Sequence, residues 1–218
     1  MKKRKLLPIL FLLPITATSI TYNSHVANGQ GINAETCTSL KECIPLANSG
    51  KLDAQLFLAV HYELKLAKAS HTQEGSEKEI ATYKMELLKW LTLAAEQGFS
   101  GAQANLGNLY YRGQYIDKDF EKALYWRHKA AEQGYLIAQA SLGAMYHRGK
   151  GVPTDNVQAY AWLNNAVKYG KTSADRLLEK VTKTLSPEEL AAAEQLSEEY
   201  YKKYVEPYRP PPKTQKQD

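Results

Sequence analysis

One stretch of 24 residues occurs twice in this chain and limits what it can become. WLTLAAEQGFSGAQANLGNLYYRG, Trp90 to Gly113, is followed by WRHKAAEQGYLIAQASLGAMYHRG, Trp126 to Gly149, and the two agree at 14 positions. Unrelated sequence would agree at about one or two. A third copy keeps the same 36-residue register through Trp162, Ala166 and Gly170, the partners of Trp90, Ala94 and Gly98 and of Trp126, Ala130 and Gly134. Such a period predicts a stack of supersecondary units, each burying its apolar face against its neighbours.

Each unit reads as two helical runs separated by glycine. Gly98, Gly134 and Gly170 stand where a left-handed C-terminal cap favours a residue without Cβ, and Gly113 and Gly149 close the other run. Asp119 and Asp155 are placed to cap the next helix, with Gln158 at the third helical position of the second. An earlier copy begins at Gly50, since Ala54-Gln55, Leu58 and Tyr62 match Ala102-Gln103, Leu106 and Tyr110 at an offset of 48. The extra twelve residues are expected as a loop insertion over the polar stretch 68–79, with Ser76 and Glu79 as a capping box restarting the helix. Ala59 replaces the repeat glycine there, which predicts a looser helix contact.

The pattern resembles the Sel1-like repeat, a relative of the tetratricopeptide repeat with slightly longer units. The matching residues are Ala94-Ala95-Glu96-Gln97-Gly98, Ala102-Gln103, Leu106-Gly107, Tyr110 and Gly113. In the next unit they are Ala130-Ala131-Glu132-Gln133-Gly134, Ala138-Gln139, Leu142-Gly143, Tyr146, Gly149-Lys150-Gly151-Val152 and Asp155. The resemblance implies an all-α fold, a right-handed superhelical solenoid of helix-turn-helix repeats over residues 50–184. Residues 172–184 read as one more helix of the stack. Ser186-Pro187-Glu188-Glu189 is a strong start signal for a C-terminal capping helix over 185–206. A tail without reason to fold is expected over 207–218.

The N-terminus reads differently. Lys2, Lys3, Arg4 and Lys5 precede a short apolar run broken by Pro8 and Pro14, then small residues including Ala17 and Ser19, which is the order of a secretory signal peptide. It is expected over 1–34, with cleavage as early as 19/20 as the alternative. The apolar run is too short and too broken for a membrane span, so no stable membrane insertion is expected once the signal is removed.

Charge follows the same division. The whole chain carries 28 basic and 23 acidic residues, but no acid precedes Glu35, so losing the four N-terminal basic residues lowers the net charge from +5 to +1. Leaving out the tail as well, with Arg209, Lys213, Lys216 and Asp218, brings the body to −1. A nucleic-acid footprint needs clustered Lys and Arg on the folded surface, and this body does not supply it. The only cysteines, Cys37 and Cys43, fall in the N-terminal segment 35–49 and are expected to form one local disulfide in a periplasmic or secreted setting. Metal binding and redox catalysis are disfavoured by the spacing and by the lack of a nearby histidine.

No catalytic motif emerges, and neither a cofactor nor a metal site is expected. H-E-x-x-H, G-x-S-x-G, S-x-x-K and G-x-G-x-x-G are all absent. The phosphate-loop look of Gly143 to Gly151 has five residues between its glycines where four are required, and Gly151 stands where Ser or Thr should be. His25, His61, His71, His128 and His147 are scattered singly. Function is expected instead on a stripe of the first helix of each unit, facing the inner side of the curve. The stripe reads Asp53, Phe57, Val60, Leu64, then Gly101, Asn105, Asn108, Arg112, then Ile137, Ser141, Ala144, Arg148, with Tyr111 and His147 bordering it. Phe57, Asn105, Asn108, Tyr111, Arg112, His147 and Arg148 are the expected protein-binding residues on the concave face. The resemblance implies a non-catalytic interaction scaffold or adaptor for a protein or peptide in the cell envelope or outside the cell. It leaves open an immunity protein neutralising a periplasm-acting toxin, and, ranked lowest, a cell-wall or β-lactam-processing enzyme.

Overall fold

The computed structural model describes residues 37, 39–72, 75–170 and 173–208. The expected signal peptide, His25 and the chain beyond residue 208 lie outside the described residues, as does the side chain of His71. Among the described residues there are nine α-helices and no strand: α1 Leu40–Asn48, α2 Leu52–Thr72, α3 Glu77–Glu96, α4 Ser100–Arg112, α5 Phe120–Ala131, α6 Leu136–Arg148, α7 Asn156–Gly170, α8 Asp175–Thr182 and α9 Pro187–Tyr200. A π-helical turn, Tyr201–Val205, and a 3-10 turn, Glu206–Tyr208, follow α9. Consecutive helices pair as hairpins, α2 with α3, α4 with α5 and α6 with α7, and each hairpin stacks on the next. This is the expected all-α helical-repeat solenoid.

Local chemistry sets most boundaries. Ser76 and Ser186 each accept from the amide of the residue three ahead, while Glu79 and Glu189 reach back to the serine amide, so both capping boxes close. Asp119 accepts from the amide of Lys122, and Asp155 from that of Gln158, each at 2.9 Å. Gly113 and Gly149 end α4 and α6 in the left-handed conformation, with φ of 67° and 63°. Gly98 and Gly134 are also left-handed. Gly170 does not act as the expected cap, because α7 keeps it as its last helical residue.

Most of the twelve additional residues of the first hairpin extend its two helices rather than form a loop. Lys65 occupies the place of Gly113, so no left-handed cap stops the first run, and α2 extends to 21 residues against 13 for α4. On the far side α3 starts 13 residues before Trp90, whereas α5 starts six before Trp126. The Ala, Leu and Lys side chains of this stretch are good helix formers, and the insertion becomes extra helical turns. Ala59, in the place of the repeat glycine, is 4% exposed.

Packing between paired helices uses the repeat glycines. A Cβ on Gly143 would lie 2.8 Å from the Ala159 carbonyl oxygen and 2.5 Å from Leu163 Cγ, so only hydrogen fits. At the C-terminus Tyr200 and Tyr204 cover Trp162, with ring centres 4.3 and 5.5 Å away. Asn165 Nδ2 donates to the Ser197 carbonyl at 2.8 Å, and the Tyr200 hydroxyl donates to Gln158 Oε1 at 2.6 Å. The packed chain continues two residues into the stretch expected as tail. Tyr204 O and the Tyr208 ring approach Gly134 so closely that a Cβ there would lie 2.9 Å from the oxygen.

Candidate protein-interaction surface

The first helices α2 and α4 enclose a pocket of about 260 Å³, backed by α3. Its floor is apolar, with Leu56 and Ala59 from α2, Leu87 and Leu91 from α3, and Ala102 and Leu109 from α4. Its polar lining is Asn105, Asn108 and Arg112 from α4, Glu63 from α2, and Gln114. The repeat explains this geometry. Positions 101, 105, 108 and 112 share one face of α4, and Val60 brings the equivalent α2 stripe to the same pocket. Partial loss of hydration pushes the Glu63 carboxyl above its ordinary value. Among the described residues there is no ion pair between Glu63 and Arg112.

Three of the seven residues expected to bind, Asn105, Asn108 and Arg112, therefore line one pocket. The other four do not. Phe57 is half-buried, packs on the first core cluster and stacks on His61 with ring centres 6.5 Å apart. Tyr111 turns toward α5, where it meets the Phe120 ring at 5.3 Å and the Arg127 guanidinium at 4.4 Å. His147 is tied to the start of α7, its Nδ1 2.9 Å from Asn156 Oδ1. Arg148 is exposed at the end of α6. Glu63 escaped the sequence reading because it lies just outside the stripe pattern, and only the packing of α2 against α4 brings it into the pocket.

The pocket combines polar groups with an apolar floor. Amide, guanidinium and carboxylate groups stand over an apolar floor, an arrangement chemically suited to an extended peptide or a projecting side chain. Among the described residues there is no cluster of three or more His, Cys, Asp or Glu able to hold a metal ion. The disulfide is present, with Cys37 and Cys43 Cα atoms 5.3 Å apart. No helix among the described residues is long and apolar enough to cross a membrane.

The comparisons agree with this architecture. The Sel1 repeat model matches residues 88–99, 100–135 and 136–168. A Sel1 repeat protein from Oxalobacter formigenes of known crystal structure is 32% identical, with a TM-score of 0.50, over 65% of this chain and 97% of its own. The chain belongs to the Sel1-repeat family. A protective antigen present in uropathogenic Escherichia coli strains, displaying an SLR fold, is 27% identical with a TM-score of 0.56 over 77% of this chain. The chain spans 41% of that antigen's length. No curated protein sequence matches. As a Sel1-repeat protein the chain has the architecture of an interaction scaffold, and the repeat residues shared between units are those that build the stack.

Proposed function

We propose that this Sel1-repeat protein is an exported, non-catalytic scaffold that binds a peptide or protein in the cell envelope or outside the cell. The pocket between α2 and α4 is its primary contact. The observation that carries this reading is the convergence of Asn105, Asn108 and Arg112 on one apolar-floored pocket. Amides satisfy the backbone of an extended ligand, the guanidinium fixes its register, and the floor takes an apolar side chain. Export is supported by the N-terminal order of residues and by the Cys37–Cys43 disulfide, which persists in oxidising compartments.

The test is a pull-down from the envelope fraction with wild type and with Asn108→Ala/Arg112→Ala. Both positions lie on the solvent side of α4, so the variant should melt with the wild type while losing its partners. Unchanged partners at an unchanged melting temperature would remove the pocket from the account.

A further inference from the structure

The second residue of each hairpin's tryptophan pair is Leu91, Arg127 and Leu163. In the first and third hairpins this position is apolar packing. Leu91 is 5% exposed and Leu163 fully buried, with Leu163 lying directly over Gly143. Arg127 occupies the same place over Gly107, which a Cβ would bring to 2.9 Å from Arg127 Cγ, and it is only 7% exposed. The repeat asks for leucine here and receives a charge.

That charge has no acidic partner. Among the described residues the ion pairs are Lys122 with Asp119, Lys183 with Glu179 and Lys202 with Glu198, and none includes Arg127. Its one special contact is the face of Tyr111, 4.4 Å from the guanidinium carbon. Burial lowers its pKa to about 10, Tyr111 opposes in part, and the positive charge of Arg112 lowers it further, so it stays protonated at neutral pH. None of its nitrogens is a fully enclosed orphan, so the guanidinium keeps a trace of solvent contact. A buried, unpaired arginine costs stability that a leucine would not, and a residue that breaks the rule of its own repeat marks a site where function outweighs packing.

We propose that Arg127, seated on Tyr111 and beside Arg112, binds a carboxylate of the partner. This deepens the scaffold reading and rests on it. Arg112 lines the pocket between α2 and α4 and also acts electrostatically on Arg127, so the positive charge at Arg127 borders the pocket that takes the ligand's apolar side chain. A guanidinium seated over an aromatic ring loses freedom to turn, which suits bidentate carboxylate recognition by its N–H fork. The carboxylate is that of an aspartate or glutamate side chain or of a peptide C-terminus.

Arg127→Leu gives a test that separates binding from folding, because it restores the residue of the other two hairpins. Three labelled peptides sharing one apolar core are titrated by fluorescence anisotropy: one acidic with both ends blocked, one neutral with a free C-terminal carboxylate, and one neutral with both ends blocked. The expected result is that Arg127→Leu melts at or above the wild-type temperature and weakens a carboxylate-bearing peptide about tenfold or more, the worth of a charge-assisted bond. The blocked neutral peptide should be unaffected, and the peptide that responds identifies the source of the carboxylate. Arg127→Lys should recover only part of the loss. The proposal is overturned if neither carboxylate peptide binds better than the neutral one, or if Arg127→Leu leaves their affinity within twofold of wild type. If the neutral peptide still binds and is lost in Asn108→Ala/Arg112→Ala, the scaffold reading stands and only the carboxylate site falls.

Discussion

Gln133 Nε2 donates a 2.7 Å hydrogen bond to Gln103 Oε1, while Gln103 Nε2 donates to the Ala95 carbonyl at 3.0 Å. The same pair of bonds recurs one hairpin earlier, from Gln97 to Gln55 and from Gln55 to the Ala47 carbonyl. Each glutamine pair thus ties the two helices of one hairpin together, and the bond to the Ala95 or Ala47 carbonyl joins that hairpin to the helix before it. The pattern stops at Gln139, which donates to the Ala131 carbonyl. The repeat position that should supply the next donor is Tyr169, and Gln139 Oε1 has no partner among the described residues.

The pattern predicts unequal costs for the same substitution. Gln103→Met removes a donor and an acceptor and leaves buried groups unsatisfied, so it should destabilise by about 2 kcal/mol. Gln139→Met breaks one bond and also removes an orphaned oxygen, and should cost about half as much. Urea unfolding of the two variants checks the ordering, and equal costs would mean that the Gln133–Gln103 bond within the α4–α5 hairpin contributes nothing.

The repeat glycines should divide by cause. Gly143→Ala drives a methyl into the Ala159 carbonyl and Leu163, and should cost about 1–3 kcal/mol even though alanine favours helix. Gly98→Ala meets no atom within 4 Å but must hold φ near +89°, and should cost about 1 kcal/mol through backbone strain alone. Crystal structures of the variants should show shifted helices for the first and an unmoved frame for the second.

His128 should make stability depend on pH. Its ring meets Trp162 edge-on and its Nε2 lies 3.1 Å from the Tyr146 hydroxyl. Burial depresses its pKa below the ordinary 6.5, with Glu132 opposing in part. The unfolded chain therefore takes up the proton first as pH falls. The stabilisation is complete above about pH 7 and declines from about 6.5 downward toward the lower folded value. Urea midpoints measured from pH 8 to 5 should show this decline, and His128→Gln should flatten it. Some slope should remain, because burial also lowers the pKa of His61.

The disulfide should hold the N-terminal edge rather than the solenoid. Cys43 is fully buried in α1, and the bond closes a loop six residues apart, worth about 2 kcal/mol in the chain-entropy model. Reduction should speed amide exchange in α1 and leave α4 to α7 protected. Exchange rising equally through all hairpins would show that α1 nucleates the whole stack.

Much of the fold was legible because its signals are local. Asp119, Ser76 and Ser186 cap within three residues of themselves, and Gly113 and Gly149 end helices by their own backbone conformation. The insertion was misread because polar residues suggested a loop, while the decisive change was the loss of a left-handed stop at Lys65. Gln97 and Gln133 stood in the sequence only as matching residues of the repeat, and their hydrogen bonds join residues 42 and 30 positions apart. At the site, the helix stripe found Asn105, Asn108 and Arg112, which share a face by periodicity alone. It could not show that Tyr111 turns to α5, nor that Arg127 is buried where its two counterparts are leucine, because both depend on how one helix lies on the next.

The most direct measurement is amide exchange of the intact protein with and without a peptide selected from a displayed random library against wild type. Protection is expected at the lining of the pocket between α2 and α4, around Val60, Asn105 and Asn108, and beside it at Tyr111 and Arg127. Loss of both binding and protection is expected in Asn108→Ala/Arg112→Ala at an unchanged melting temperature. Protection mapping elsewhere on the solenoid, or peptides that bind the variant as tightly as wild type, would contradict this account.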